Sequence, residues 1–452
     1  MRRIRSRKLL FAIVLLAFIL RFFLLLKNPE FNYDELVVYK NSRLPVTQLL
    51  AGNYYQFAFH PPFYYLLVKL WSVLGTSELW LRLPSFLLSL SAVVAAYKFS
   101  PQLSLILAFS AFHISWASQL RVYSWMQFIS LLFTYVFLKF RTRKSYPYLL
   151  ALLGLVAFSV DYSFIWLLLS LGLYLFAVPF PGKKKVIKPL ATMFFLILPV
   201  VFLYAYKIVI FARTSYAEQS LWIDKPDFSR LLSTLSEFLS GRNFETAVLL
   251  PPAVFLLLLG LYLKESVQTP AFFMFSVPLL ASFAVSQFLP IFETRNLYIS
   301  ALGAYWLLSC LIIKAKKWQF LLLLILFAAN FVSYLEAAAT PKEMSWSHYV
   351  AYLNRLHGEN MEIAFYPAAY YEGLSYYGEK YGLKNNFSEI SYPKNTDFAA
   401  FGRVLADAGM SDCFLIKNTP DDMVRTVSGF LGNYEKADFG ELSSFCRKQV
   451  AL

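Results

Sequence analysis

The chain has 452 residues, of which 58% are hydrophobic and 15% are charged. Its mean hydropathy is +0.52. A soluble domain carries about a quarter charged residues, so the composition excludes an ordinary soluble protein. The net charge of +15 at pH 7 would suit a nucleic-acid partner, but the cations stand in short patches between long apolar runs. Such patches orient a protein in a bilayer, so membrane lipids are expected as partners and nucleic acid is not.

A helix of about 20 apolar residues crosses a bilayer. The sequence contains eleven runs that are candidates for such spans. In chain order they lie near residues 9–26, 79–97, 101–118, 124–140, 147–160, 163–180, 189–207, 247–263, 270–289, 297–313 and 318–336. The first run is too long for the apolar part of a signal peptide, and no small-residue cleavage site follows it, so it is interpreted as a retained span.

Lysine and arginine are clustered in alternate connections between these runs. The clusters include "RRIRSRK" (2–8), "KFRTRK" (139–144), "KKKVIK" (183–188) and "KAKK" (314–317). The short connections of the opposite set are poor in both residues, as the positive-inside rule requires. The sequence therefore predicts a multi-pass integral protein of the cell membrane, with a cytoplasmic N-terminus and an extracytoplasmic C-terminal domain.

Two segments on the predicted outer side are amphipathic rather than uniformly apolar. Residues 61–75 and residues 227–241 mix apolar and polar side chains with a roughly helical period. This pattern indicates helices that lie in the membrane interface. Tyr64 and Tyr65, in the first segment, are interpreted as belt residues that face the lipid interface.

The composition changes after about residue 340, where short apolar strand patterns accompany a Tyr-rich helical pattern. We therefore predict a transmembrane domain over residues 1–340 and a small extracytoplasmic α/β domain over residues 341–452. Cys413 and Cys446 both lie in this tail. A disulfide between them depends on an oxidising compartment, and the sequence leaves that pairing open.

Charged and polar residues collect at the predicted outer ends of the spans. Asp34 and Glu35 are adjacent in "FNYDELVVYK" (31–40), just after the first span. The others on that side include His60, Gln119, Arg121, Tyr123, Asp161, Trp222 and Arg295. Charges at a membrane rim are costly and usually line a functional cavity, although each residue alone is compatible with a solvated loop or with headgroup contact. Because arginine binds phosphate through several hydrogen bonds, the set indicates a phosphate site beside a catalytic carboxylate.

Five stretches, taken in order, resemble the GT-C glycosyltransferases. They are "YDE" (33–35), "HPPFYYLLVKLWSVLGTSELWLRLPS" (60–85), "SQLRVYSWMQFISLLFTYVFL" (118–138), "SLWIDKPDFSRLLSTLSEFLSG" (220–241) and "ETRNLYISALGAYWLL" (293–308). More narrowly, the chain resembles the bacterial or archaeal branch of the protein O-mannosyltransferase and aminoarabinose-transferase superfamily. The resemblance implies a polytopic α-helical membrane fold of the GT-C type, with about 11 transmembrane helices and interfacial helices, besides the small C-terminal α/β domain.

The resemblance also implies an activity. A sugar would move from a dolichyl- or undecaprenyl-phosphate donor to a glycolipid, polysaccharide or protein acceptor on the extracytoplasmic side, with inversion. Asp34 would be the base, or a ligand of a divalent cation, and Glu35 is the second catalytic candidate. The residues assigned to the donor phosphate and sugar are His60, Arg121, Tyr123, Asp161 and Arg295, and Trp222 is assigned to the acceptor or its loop.

Three positions depart from the pattern of this superfamily. Phe59 stands where metal-binding relatives often carry an acid directly before the His-Pro-Pro block, so a metal-independent mechanism is preferred and a divalent cation stays open. Gln119 replaces an acid, and Asp161 replaces a histidine, found in many relatives.

Three other classes of protein compete with this interpretation. A structural membrane protein with a sensor tail is disfavoured because it leaves the one-sided cluster of polar residues unexplained. A transporter or flippase of lipid-linked sugars is disfavoured because no internal repeat is evident and the polar residues collect at one leaflet. An O-antigen ligase-type enzyme is disfavoured by the acid pair after the first span.

Overall fold

The structure is a computed structural model that describes most of the chain. The described residues are 7–52, 60–139, 146–179, 225–241, 250–288, 291–339, 345–356, 362–366, 370–383, 386–389, 413–417, 434–439 and 442–447, with single positions between 187 and 202. Contacts divide the chain into two compact units. The first comprises Met1–Lys27 and Asn41–Ala338, and the second comprises Asn28–Lys40 and Ala339–Leu452. The segment 28–40, which we predicted within the first domain, thus groups with the C-terminal residues.

Helices, most of them apolar, make up the described part of the first unit. The described helices before residue 340 are α1 (Arg7–Lys27), α2 (Tyr33–Arg43), α3 (Val46–Ala51), α4 (Pro62–Ser72), α5 (Glu78–Tyr97), α6 (Pro101–Phe109), α7 (Ala111–Ala117), α8 (Tyr123–Lys139), α9 (Tyr146–Val160), α10 (Phe164–Ala177), α11 (Phe228–Ser240), α12 (Leu250–Leu261), α13 (Leu263–Ser266), α14 (Pro270–Val285), α15 (Tyr298–Lys314) and α16 (Gln319–Ala339), with 3-10 turns at Thr294–Leu297 and Lys316–Trp318. Ten of the eleven predicted runs overlap these helices. The run near 189–207 lies mostly outside the described residues. The helices predicted in 61–75 and 227–241 correspond to α4 and α11.

Four described helical stretches are long and apolar enough to cross a membrane. They are Arg7–Lys27, Glu78–Tyr97, Thr294–Lys314 and Lys316–Ala339, and shorter apolar helices accompany them. The stretch Thr294–Lys314 contains α15, which packs closely against α14, and the stretch Lys316–Ala339 follows it directly. A Cβ added at Gly303 of α15 would lie 2.3 Å from the backbone nitrogen of Phe275, so glycine permits this close approach.

The run predicted as one span at 101–118 is instead two helices, α6 and α7, which meet at Ser110. Ser110 has extended backbone angles (φ −60°, ψ 115°), so the last carbonyls of α6 lose their helical partners. The buried guanidinium of Arg21 in α1 donates to the carbonyl oxygens of Leu107 and Ala108, both at 2.8 Å, and to Ser89 Oγ at 2.7 Å. An arginine in the first span therefore satisfies backbone groups that lipid could not.

Helix α11 is held at its C-terminal end by the helices that follow it. It begins at Asp227, whose carboxylate accepts a hydrogen bond from the Arg230 backbone N–H at 2.8 Å. At its other end the Asn330 side chain of α16 donates to the Leu239 carbonyl at 2.7 Å and accepts from the Ala111 N–H at 2.9 Å. One amide thus joins the end of α11 to the start of α7.

In the part of the second unit that the structure describes, the tail contributes a five-stranded sheet and two helices, and residues 33–40 of α2 belong to this unit as well. The elements are β1 (Glu362–Tyr366), β2 (Asn386–Glu389), β3 (Cys413–Lys417), β4 (Tyr434–Phe439), β5 (Leu442–Arg447), α17 (Trp346–Leu356) and α18 (Tyr370–Lys380). The strand order is β2-β1-β3-β5-β4, parallel among the first three and antiparallel where β5 pairs with β3 and β4. A disulfide joins Cys413 of β3 to Cys446 of β5, which stand opposite each other in the sheet. The predicted α/β character of the tail is confirmed.

Candidate functional site

The acid pair of the first loop lies in the first turn of a helix and not in an irregular solvated loop. The Glu35 backbone N–H donates to Asn32 Oδ1 at 2.9 Å, and Glu35 Oε2 accepts from the Asn32 backbone N–H at 3.0 Å. This reciprocal pair is a capping box at the start of α2. Glu35 is 1% exposed, whereas Asp34 is half-buried. The two neighbouring acids therefore differ, since the Glu35 carboxylate takes part in starting the helix.

His60 and Asp161 meet in the first unit. His60 Nδ1 lies 3.3 Å from Asp161 Oδ2. Asp161 Oδ1 accepts hydrogen bonds from the Ser163 backbone N–H, at 2.7 Å, and from the Ser163 hydroxyl. Burial opposes ionisation of Asp161, but the hydrogen bond and charge of His60, together with Ser163, outweigh it and hold the pKa of Asp161 below its ordinary value. The carboxylate thus orients the imidazole in a largely buried place.

Tyr298 continues this line of contacts toward Arg121. The Ser163 hydroxyl lies 2.6 Å from the Tyr298 hydroxyl, and because its one hydrogen is donated to Asp161, Tyr298 donates to Ser163. The rings of Tyr298 and Tyr123 are 6.4 Å apart. The Arg121 guanidinium donates to the Tyr123 hydroxyl at 3.2 Å. Four of the five residues assigned to the donor therefore belong to one continuous line.

Arg295 lines a cavity of about 320 Å³ within the first unit. The wall includes Phe112, Ser115 and Trp116 of α7, Glu237 of α11, and Glu293 and Thr294 beside Arg295. The Trp116 ring lies 4.5 Å from that of Tyr123, so the cavity adjoins the polar line just described. Ligand pockets usually have roughly 300–1,000 Å³, so this space suits one small group. The fifth residue assigned to the donor thus lines a cavity that adjoins the other four through Trp116 and Tyr123.

The two carboxylates of the cavity share one arginine. Arg230 lies 3.3 Å from Glu237 and 3.7 Å from Glu293. Burial raises the pKa of the Glu237 carboxyl above its ordinary value, and the charge of Arg230 offsets only part of this effect. The wall therefore offers anionic hydrogen-bond acceptors from the two glutamates and cationic donors from Arg295, beside the indole of Trp116.

Sequence reasoning missed several members of this arrangement. Ser163 and Tyr298 lie two and three positions beyond predicted residues, in "DYS" and "ETRNLY", but no pattern marked them. Trp116 carries no polar signal at all. Glu237 is the one acid within helix α11 itself (Phe228–Ser240), and that isolation is a signal that could have found it.

The structure contradicts the prediction made for Tyr64 and Tyr65, and it does not describe Trp222. Tyr64 and Tyr65 are not lipid-facing, because both are completely buried and lie 6.3 and 6.4 Å from the His60 ring. Trp222 lies outside the described residues. Among the residues that the structure describes, no three His, Cys, Asp or Glu side chains gather as a metal site would require. The metal-independent mechanism stays the prediction, with a divalent cation as the open alternative.

The apolar helices of the first unit are those of a polytopic α-helical membrane protein, and the second unit adds a small α/β sheet. No family model matches the sequence, and no curated protein matches it. Among solved structures the chain is similar to ArnT from Cupriavidus metallidurans in the apo state, with a TM-score of 0.56 and 11% identity over 96% of this chain and 97% of that one. It is also similar to the same protein bound to undecaprenyl phosphate, with a TM-score of 0.51 and 12% identity over 97% and 98%. Identities this low show the fold alone, and the predicted GT-C fold of an integral membrane protein is confirmed. The sides predicted for the two termini stay predictions.

Proposed function

We propose that the protein is a membrane glycosyltransferase that moves a sugar from a polyprenyl-phosphate donor to an acceptor on the extracytoplasmic side. The observation that carries the proposal is the line of contacts from His60 to Arg121, beside a cavity that Arg295 lines. Intramembrane and rim charges gathered in this way usually serve a polar ligand. The fold supports the donor class, since ArnT, which has this fold, binds undecaprenyl phosphate in one of its structures.

The chemistry would be a single displacement at the anomeric carbon of the sugar. The acceptor hydroxyl oxygen forms a bond to that carbon while the bond to the phosphate oxygen breaks and its electron pair leaves with the polyprenyl phosphate. The configuration of the carbon inverts. A departing phosphate needs charge stabilisation more than a proton, so cations replace a general acid.

Three side chains would supply this stabilisation. The guanidinium groups of Arg121 and Arg295 suit phosphate oxygens because each offers several donors in a plane. Asp161 engages Nδ1 of His60, which leaves Nε2 as the nitrogen that can donate to the phosphate. The Tyr123 hydroxyl would hold Arg121 in place, and the Tyr298 hydroxyl would hold Ser163, which in turn contacts Asp161.

The proton of the acceptor hydroxyl would pass to Asp34. A carboxylate is suited to this step when it is held near the attacking oxygen. Of the two adjacent acids, Glu35 caps α2 and is buried, so Asp34 is the carboxylate assigned as the base. If a divalent cation takes part, Asp34 is the ligand assigned to it, and a chelator would then abolish transfer. The acceptor is a hydroxyl of a glycolipid, a polysaccharide or a protein.

The test uses the full chain, purified into nanodiscs, with a panel of undecaprenyl- and dolichyl-phosphate sugars. We expect release of polyprenyl phosphate that depends on the sugar, and loss of about 10²- to 10⁴-fold in turnover for Asp34→Asn. Glu265→Gln is the matched control, because Glu265 is exposed and lies outside the site. An active Asp34→Asn variant would end the assignment of the base.

The same preparation distinguishes the main competing class. Reconstituted into sealed vesicles, a transporter or flippase would move the intact lipid-linked sugar across the bilayer without consuming it. Translocation of intact donor by the wild-type protein, with no polyprenyl phosphate released, would overturn the proposed function.

A further inference from the structure

The segment before α2 caps a helix of the C-terminal tail, and both belong to the second unit. The Glu30 carboxylate accepts hydrogen bonds from the backbone N–H groups of Trp346 and Ser347, at 2.6 and 2.8 Å. These are the first two residues of α17, and the first N–H groups of a helix have no partner within it. The positive end of the helix dipole also favours a carboxylate there. A residue of the first loop thus completes a helix that begins more than 300 positions later.

A second contact follows directly in the chain. The Phe31 backbone N–H donates to the Tyr377 hydroxyl of α18 at 2.6 Å, and both residues are buried. The Phe31 ring lies 6.1 Å from that of Tyr376, and the Tyr39 ring of α2 lies 5.3 Å from the same ring. The tyrosines of the tail therefore hold the backbone before α2 and one face of α2 itself.

Trp346 and Tyr377 also contact each other, so the contacts made by Glu30 and Phe31 are joined to one another. Their rings are 6.1 Å apart and nearly parallel, with an angle of 12° between the planes. A Cβ added at Gly373 would come within 1.8 Å of the Trp346 ring, so the glycine allows the indole to lie directly on α18. Glu30, Phe31, Trp346 and Tyr377 form what we call the first-loop cluster, in which each member contacts the next.

From this cluster we infer that the C-terminal tail positions the acid-bearing helix α2, with Glu30 and Tyr377 as positioning residues. The inference rests on the proposed function, in which Asp34 is the base. Asp34 lies four positions after Glu30, and the capping box of Asn32 and Glu35 defines the turn between them. A catalytic group must be held within about 0.5 Å of its productive place, and neighbours that hold its backbone provide this.

The first test measures hydrogen–deuterium exchange by mass spectrometry on the full-length protein in nanodiscs, without any donor. Tyr377→Phe keeps the ring but removes the acceptor of the Phe31 N–H, so peptides within 28–40 should exchange at least about tenfold faster. Glu30→Gln keeps one acceptor and Glu30→Ala none, so the increase should be larger for alanine. The controls are Glu379→Gln within α18 and Tyr381→Phe just after its end, which both change exposed groups. Unchanged exchange in Tyr377→Phe and Glu30→Ala would overturn the inference, whatever the activity.

The second test measures turnover in the same variants. Tyr377→Phe should lower kcat about tenfold or more while the KM for the donor stays near that of the wild type, because the donor residues are untouched. In an Asp34→Asn background the same change should cause no further loss, since the group that it positions is gone. Faster exchange with unchanged kcat would overturn the positioning role. A wild-type protein without transferase activity would overturn the proposed function itself, and this outcome differs from an active protein whose variants are unchanged.

Discussion

His60 and Asp161 lie far apart in the chain, yet Nδ1 of the imidazole stands 3.3 Å from the carboxylate. The histidine precedes α4, and the aspartate stands in the turn between α9 and α10. Ser163, from the same turn, donates twice to the carboxylate and accepts from Tyr298. The turn after α9 is therefore the junction at which three parts of the first unit meet.

Asp161→Asn should lower transfer about ten- to a hundredfold. A hydrogen bond to a charged group contributes about 1.5–3 kcal/mol, and each 1.36 kcal/mol corresponds to about tenfold in rate. The variant keeps the shape of the side chain but loses the charge that orients His60. Turnover with the donor panel checks this, and His60→Ala should add little to Asp161→Asn. Full additivity of the two changes would contradict a shared role.

The same residue predicts a dependence of stability on pH. The pKa of Asp161 lies below its ordinary value of 3.8 in the folded protein, so the unfolded chain binds more protons near that pH. The stabilisation is fully present above the unfolded pKa and is lost as the pH falls through the folded one. The difference in unfolding temperature between the wild type and Asp161→Asn should shrink as the pH falls below about 4. A difference that grows in that acid range would contradict the depressed pKa.

Arg21→Leu should destabilise the first unit by several kcal/mol, because the carbonyls of Leu107 and Ala108 would lose their donor in an apolar place. Each unsatisfied buried group costs about 1–3 kcal/mol. Arg21→Lys keeps a charged donor and should cost less. Arg7→Leu is the matched control, since Arg7 is exposed on the same helix. Thermal unfolding in detergent measures the effect, and equal unfolding temperatures for the two leucine variants would refute it.

Gly303→Ala should also be destabilising, although it adds a single methyl group. The new Cβ would meet the backbone of Met274 and Phe275 within 2.5 Å, and backbone cannot move aside as a side chain can. Overpacking of this kind costs about 1–3 kcal/mol. Gly260→Ala is the control, because a Cβ there meets nothing within 4 Å. Thermal unfolding of the two variants gives the comparison, and the alanine in place of Gly260 should be neutral or slightly stabilising.

The disulfide predicts which cysteines react. Protein purified without reductant should carry one alkylatable thiol, Cys310, while Cys413 and Cys446 react only after reduction and unfolding. Cys413→Ser with Cys446→Ser should destabilise the second unit by about 2–4 kcal/mol. Alkylation followed by peptide mass spectrometry counts the thiols. Three reactive cysteines in protein prepared from an oxidising compartment would contradict the pairing.

Much of the architecture was readable in the sequence for a simple reason. In lipid every backbone group must be satisfied within the segment, so apolar runs of sufficient length are helices, and ten of the predicted runs overlap described helices. Local signals set several helix ends, such as Asp227 before α11. The capping pattern from Asn32 to Glu35 is also present in the sequence, where the acid pair by itself indicates either catalytic groups or a solvated loop.

The sequence by itself determined that the chain crosses the membrane repeatedly, carries an α/β tail and holds polar residues worth testing, because composition and period act over neighbouring positions. Only the tertiary structure decided which of these residues meet. It joined His60 to Asp161, buried Tyr64 and Tyr65 beside them, and tied Phe31 of the first loop to Tyr377 of the tail. Such pairs depend on how helices pack and on which distant groups satisfy each other's hydrogen bonds, and neither is encoded in any short stretch of chain.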